Sequence, residues 1–195
     1  MGDFSSSVQI FVDSAKDKQD KVVRATALKI LARLIQRSPV GNPELWQVNQ
    51  TAAAYNAEVV KENQRRRMDK NNLAKTNNGR IQLKPGKKLH DGMDIKAPPG
   101  YTGGRFRGNW QVTFDSPASG ETDRIDKSGA ETLAAGGSMI ETFKVGMVET
   151  IYFTNNVPYA VPLEFGHSTQ APQGMVRITA REFLPIVNQA LRETE

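Results

Sequence analysis

Cysteine is absent from all 195 residues, which excludes a disulfide framework, a thiolate nucleophile and any Cys-ligated metal. Histidine is nearly as scarce, since His90 and His167 are the only two, and no HxxxH or HExxH spacing exists. No apolar run approaches the roughly 18 residues of a membrane span, so no membrane partner is expected. The opening MGDFSSSVQIF lacks the basic start and apolar core of a signal peptide. The expectation is a protein made in a cytoplasm that stays soluble. G-x-S-x-G is missing, and no Gly-rich loop leads into Lys-Ser or Lys-Thr. The turn at Gly100-Tyr101-Thr102-Gly103-Gly104-Arg105 lacks the strand and helix that a dinucleotide site needs. Glu164, three residues before His167, has no Ser or Thr nucleophile motif beside it. No enzyme activity, cofactor or metal is expected.

What is present is modest in apolar content and uneven in charge. With 38% hydrophobic residues the chain can build one domain with a limited core and an appendage. The net charge of +5 is local: between positions 61 and 90 ten Lys or Arg face only Glu62 and Asp69. The rest of the chain is slightly acidic.

Phe4, Val8, Phe11 and Ala15, then Val22, Ala25, Leu28, Ala32 and Ile35, repeat at steps of three and four. That is the period of an amphipathic helix, with Asp20 and Lys29 off the stripe. Ser38-Pro39 ends it. Such a helix is longer than one compact domain needs, so part of it is expected to meet a neighbouring subunit. Residues 43–67 form a second helical pattern through Leu45, Val48, Ala52, Tyr55 and Val59. From 71 to 102 the Gly- and Pro-containing, basic sequence predicts a loop or an extended arm, mobile until it meets a partner. Trp110, Val112 and Phe114 alternate with polar residues, the pattern of a half-buried strand. Ser128 and Glu131 form a capping box for a helix to about Phe143. Its Gly136-Gly137 pair is expected to pack against another backbone. A strand is expected around Ile151. A last helix, residues 173–193, would place Val176, Ala180, Phe183, Val187 and Leu191 on one face and kink at Pro185. Trp110, Phe114, Ile151, Phe153, Tyr159 and Leu163 are the predicted core.

Residues 148–183 organise the chain. They run from a strand through Asn155-Asn156-Val157-Pro158-Tyr159-Ala160, then Leu163-Glu164-Phe165-Gly166-His167-Ser168, then Gln170-Ala171-Pro172-Gln173-Gly174-Met175-Val176-Arg177. These pieces resemble the neck and tail-completion (head–tail joining) proteins of tailed bacteriophages. Further matches lie at Ser38-Pro39-Val40-Gly41 and at Gly103-Gly104-Arg105-Phe106-Arg107-Gly108-Asn109-Trp110. In the family these last two pieces usually form one turn, whereas here about sixty residues separate them. Residues 43–102 are therefore read as an insertion.

The resemblance implies an α+β fold with a long N-terminal helix packed on a small antiparallel sheet. It implies a virion protein of the neck, assembled in the host cytoplasm as a homo-oligomeric ring, with six copies expected. The ring would join the head connector or head-completion protein to the tail tube or tail terminator protein, with phage DNA passing through its lumen. A small basic DNA-binding protein outside the virion is the alternative. Val8, Phe11 and His167 are candidate subunit contacts. Within the insertion, Arg65, Arg66, Arg67, Lys84, Lys87 and Lys88 are candidate DNA contacts. Leu83, Leu89, Met93 and Ile95 are candidates for docking onto a neighbouring ring. The docking role is the favoured one, because those four apolar residues have no use in a DNA arm.

Overall fold

The computed structural model describes residues 2–99 and 101–194, with residues 2–5 given by their backbone alone. The Phe4 side chain thus lies outside the described residues. Two compact units appear: Met1–Gly41 with Thr102–Glu195, and Asn42–Tyr101. Seven helices and two two-stranded antiparallel ribbons among the described residues make the fold α+β.

The first unit is built on helix α1 (Gly2–Arg37), a stretch free of Pro. It stops at Ser38, whose Oγ donates back to the Leu34 carbonyl at 2.7 Å, and Pro39 prevents a further turn. The second half of α1 is buried through Ala27, Leu31, Leu34 and Ile35. It packs along α4 (Ala130–Glu141) and α7 (Phe183–Thr194). The buried face is rotated from the expected stripe, since Leu28 is exposed and Asp20 is buried. Asp20 is tolerated inside because its Oδ1 accepts the Val145 N–H at 2.7 Å while Arg24 and Lys144 flank its other oxygen. The Val145 N–H, set against the cost of burial, holds its carboxyl below the usual range.

Strand β3 (Gln111–Phe114) pairs antiparallel with β4 (Ile151–Thr154), Val112 opposite Phe153. Asp115 closes one end with φ 59°, its Oδ1 accepting the Glu149 and Thr150 N–H groups. Trp110 and Val112 share one core with Leu31, Ile140 and Met175, and Phe114, Ile151, Phe153 and Leu163 pack on it half-buried. Tyr159, expected in that core, is 39% exposed. Its ring tilts against Phe106 from the rim.

The cap of α4 differs from the expected Ser128–Glu131 box. Asp126 does the work: Oδ1 accepts Ser128 Oγ and the Gly129 N–H, and Oδ2 accepts the Thr132 N–H and Oγ1, all at 2.7–3.0 Å. Gly136 is packed closely, but against the side chains of Leu31 and Val112 rather than another backbone, and Gly137 makes only ordinary contact with Leu28. The last helix is two helices, α6 (Val176–Arg181) and α7, broken at Glu182. Pro185 lies in the first turn of α7, where its missing N–H removes no helical bond. The inward face is Thr179, Ile186 and Ala190, so the expected face of Val176, Phe183 and Leu191 points outward.

The second unit holds helix α2 (Gln50–Met68) and a hairpin of β1 (Leu73–Lys75) and β2 (Ile81–Leu83). Two short 3₁₀ turns, Pro43–Leu45 and Gln47–Asn49, precede α2. Residues 73–83 are therefore a hairpin where composition suggests a loop, while residues 84–99 form no helix or strand and run back along α2. Tertiary hydrogen bonds replace the apolar burial they lack.

Candidate functional site

In the first unit the separated pieces that carry the resemblance form one joint. Ser38 Oγ accepts the Trp110 indole N–H at 2.7 Å, and its carbonyl accepts Arg107 at 2.7 Å. Gln170 bonds the Val40 backbone in both directions, at 3.2 and 3.0 Å. Asn155 Nδ2 donates to the carbonyl of Phe106, in the short helix α3 (Arg105–Gly108), at 2.8 Å. Glu164 lies across the start of α6, where its two oxygens accept the N–H groups of Met175, Val176 and Arg177 at 2.8–2.9 Å. Burial alone would raise its pKa, but those backbone donors outweigh it and hold the carboxyl below the usual range. A carboxylate so occupied is a cap rather than a free base. Gly174 must be Gly, because at φ 79° it lies hard against the Glu164 carbonyl and carboxylate. Beside this joint a shallow hollow of about 260 Å³ is lined by Arg37, Gln170, Pro172 and Ile178.

Two apolar faces of this unit stand open. One is the first half of α1, where Val8, Phe11 and Val12 share a side and are exposed, Phe11 to 74%. The other is the outer side of α6 and α7, with Val176, Phe183, Leu184 and Leu191. His167 is exposed in the loop between α5 (Ala160–Glu164) and α6.

The second unit is held by three asparagines that sequence reasoning missed. Asn49, which immediately precedes α2, and Asn56 and Asn63 within it recur every seven residues. Each grips one residue of the segment that returns along α2. Asn49 pairs both ways with the backbone of Lys96, Asn56 with Met93, and Asn63 with Leu89, all at 2.7–3.0 Å. Seven residues of helix rise about 10 Å, and three or four residues of extended chain span about the same. The two repeats therefore stay in register. Identical polar residues at spacing seven were the available signal. Tyr55 adds a hydrogen bond to Asp91 at 2.6 Å.

This arrangement revises the sequence-based site residues. Leu83 is buried at 7% exposure and offers no docking surface, Leu89 and Ile95 are half-buried, and only Met93 of the four is exposed. Arg65 and Arg66 both clasp Glu62, at 2.8–3.0 Å, and pull its carboxyl down to about 2. Arg66 also donates to the Lys87 carbonyl. Arg67, Lys84, Lys87 and Lys88 are exposed and form no ion pair among the described residues. The unit contains eleven Lys or Arg against six Asp or Glu, and the rest of the chain fifteen of each, so the whole net charge of +5 sits here.

Among the described residues no group of three His, Asp or Glu side chains could hold a metal, and no helix is long and apolar enough to cross a membrane. No family model, curated protein or solved structure matches the chain.

Proposed function

We propose that this chain is a structural virion protein of a tailed bacteriophage, a neck or tail-completion component that assembles into a homo-oligomeric ring around the DNA channel. The observation that carries the reading is the joint of Ser38, Arg107, Trp110, Gln170 and Glu164. Residues that resemble the family at three distant places in the chain bond to one another. The two open apolar faces support the ring. A closed ring of identical subunits needs two different surfaces, one on each side of every copy. The first half of α1 and the outer side of α6–α7 supply such a pair. In this reading the first half of α1 lies on the α6–α7 side of the next subunit, the head connector and the tail proteins bind the two faces of the ring, and the protein has no catalytic role.

The concentration of positive charge in the second unit favours a second reading, a basic DNA-binding protein outside the virion. Electron microscopy of the purified chain separates the two. Rings with an open lumen are expected, and dispersed single copies that bind DNA would support the alternative.

A further inference from the structure

We propose that the β1–β2 hairpin and the turn after it form a sequence-independent binding surface for the phosphate backbone of duplex DNA. Residues 70–90 contain Lys70, Lys75, Arg80, Lys84, Lys87 and Lys88 and not one Asp or Glu. All six cations are exposed, and none is in an ion pair among the described residues. The acids at either end are turned to internal use. Asp69 Oδ1 accepts the Asn71 N–H at 2.9 Å, and Asp91 takes the Tyr55 hydroxyl.

The cations stand on a fixed frame. Lys75 pairs with Ile81 in the hairpin, and Arg80 follows through the turn that Thr76 closes with bonds of 2.8–3.1 Å. The Lys84 N–H donates to Asn72 at the hairpin base. Lys75 and Arg80 thus mark the tip and Lys84 the base, about three residues away, roughly 10 Å along the strands, with Lys70 in the 3₁₀ turn that leads into β1. Leu83 anchors the hairpin in its unit, and the asparagines fix the segment that follows. Little ordering entropy remains to oppose binding. Residues 61–90 contain no Phe, Tyr or Trp, so the aromatic platforms on which single-stranded bases stack are missing there. What remains is contact with phosphate, which is blind to sequence and driven by counterion release. Of the apolar residues that docking onto a protein surface would use, Leu83 is buried and Leu89 and Ile95 are half-buried, which leaves Met93 open. The inference gives the insertion a role within the proposed ring, but binding by the purified full chain tests it without regard to assembly.

Fluorescence anisotropy of a labelled, random-sequence duplex with the full-length protein, across a salt series, is the experiment. Log affinity should fall linearly with log salt, with a slope of about −4.5 to −5.5 for five or six neutralised phosphates. The variant Lys75→Glu/Arg80→Glu/Lys84→Glu should lose at least tenfold in affinity, and its neutral counterpart with Gln should cut the slope by about 3. Lys21→Glu/Lys127→Glu, equal in kind of charge change but in the first unit, should bind within about twofold of wild type. Circular dichroism and native mass of each variant separate a lost surface from lost folding or lost assembly. The proposal is overturned by absent binding at low salt, by a slope near zero, or by a triple variant that binds as wild type. Equal competition by poly-glutamate would also overturn it, since any acidic chain would then serve.

Discussion

At the scale of single residues, Asp126 is the clearest case of a polar side chain that organises apolar structure. It is buried, yet four donors from Ser128, Gly129 and Thr132 converge on it. Burial opposes its charge, the Thr132, Ser128 and Gly129 donors favour it, and its carboxyl falls from 3.8 to about 2. A pKa lower in the folded than in the unfolded chain means stability present above about pH 4 and lost as pH falls towards about 2. Asp126→Ala should cost about 2–4 kcal/mol at neutral pH, because buried donors lose their acceptor. Its stability should also vary less with pH between about 4 and 2 than that of wild type, as urea titrations at several pH values will read. Trp110 is the apolar counterpart, 4% exposed and bonded to Ser38. Trp110→Ala should lower stability by about 3–5 kcal/mol. A thermal midpoint equal to wild type would contradict its place in the core.

At the scale of elements, the asparagine repeat on α2 replaces a hydrophobic seam. The amides of Leu89, Met93 and Lys96 donate to side-chain oxygens, so their hydrogen exchange should be slow although the segment belongs to neither a helix nor a strand. Asn56→Ala should speed exchange at Met93 by roughly tenfold, the loss of about 1–2 kcal/mol of local stability. Leu89 and Lys96 should remain protected. Equal exchange across all three sites in both proteins would show that the segment is not held this way.

This segment also marks where sequence reading stops. Periodicity identified α1, α2, the β3 strand and the last helical region, because each buries an apolar pattern of its own period. It misjudged the phase of α1 and of α6–α7, where Asp20, Thr179 and Glu182 occupy the inner or half-buried side through partners far away in sequence. Arg33 and Arg37 reach Glu182 across roughly 145 residues, and no local window contains that information. The hairpin and the asparagine grips were missed for a different reason, since Leu73 and Leu83 are only ten residues apart and the asparagines recur every seven. Composition reports that a segment has little to bury, but not that hydrogen bonds will hold it. Of the candidate site, the positions of the joint were legible as motifs. The bonds that connect them were not.

At the scale of the whole molecule, a 21.5 kDa chain leaves more apolar side chains on the outside of two helices than a lone subunit has use for. Scattered exposed Leu or Val would be ordinary, but Val8, Phe11 and Val12 lie together in one half of one helix. Phe11→Asp or Val8→Asp places a carboxylate in the proposed contact and should cost several kcal/mol there while leaving the subunit folded. Native mass spectrometry of the purified chain tests the ring most directly. The account predicts one closed assembly of several copies, six being the expected number, and its collapse to smaller species in Phe11→Asp with an unchanged circular dichroism spectrum. A wild-type protein that stays a single copy at every concentration, or a Phe11→Asp protein with the wild-type mass, would contradict it.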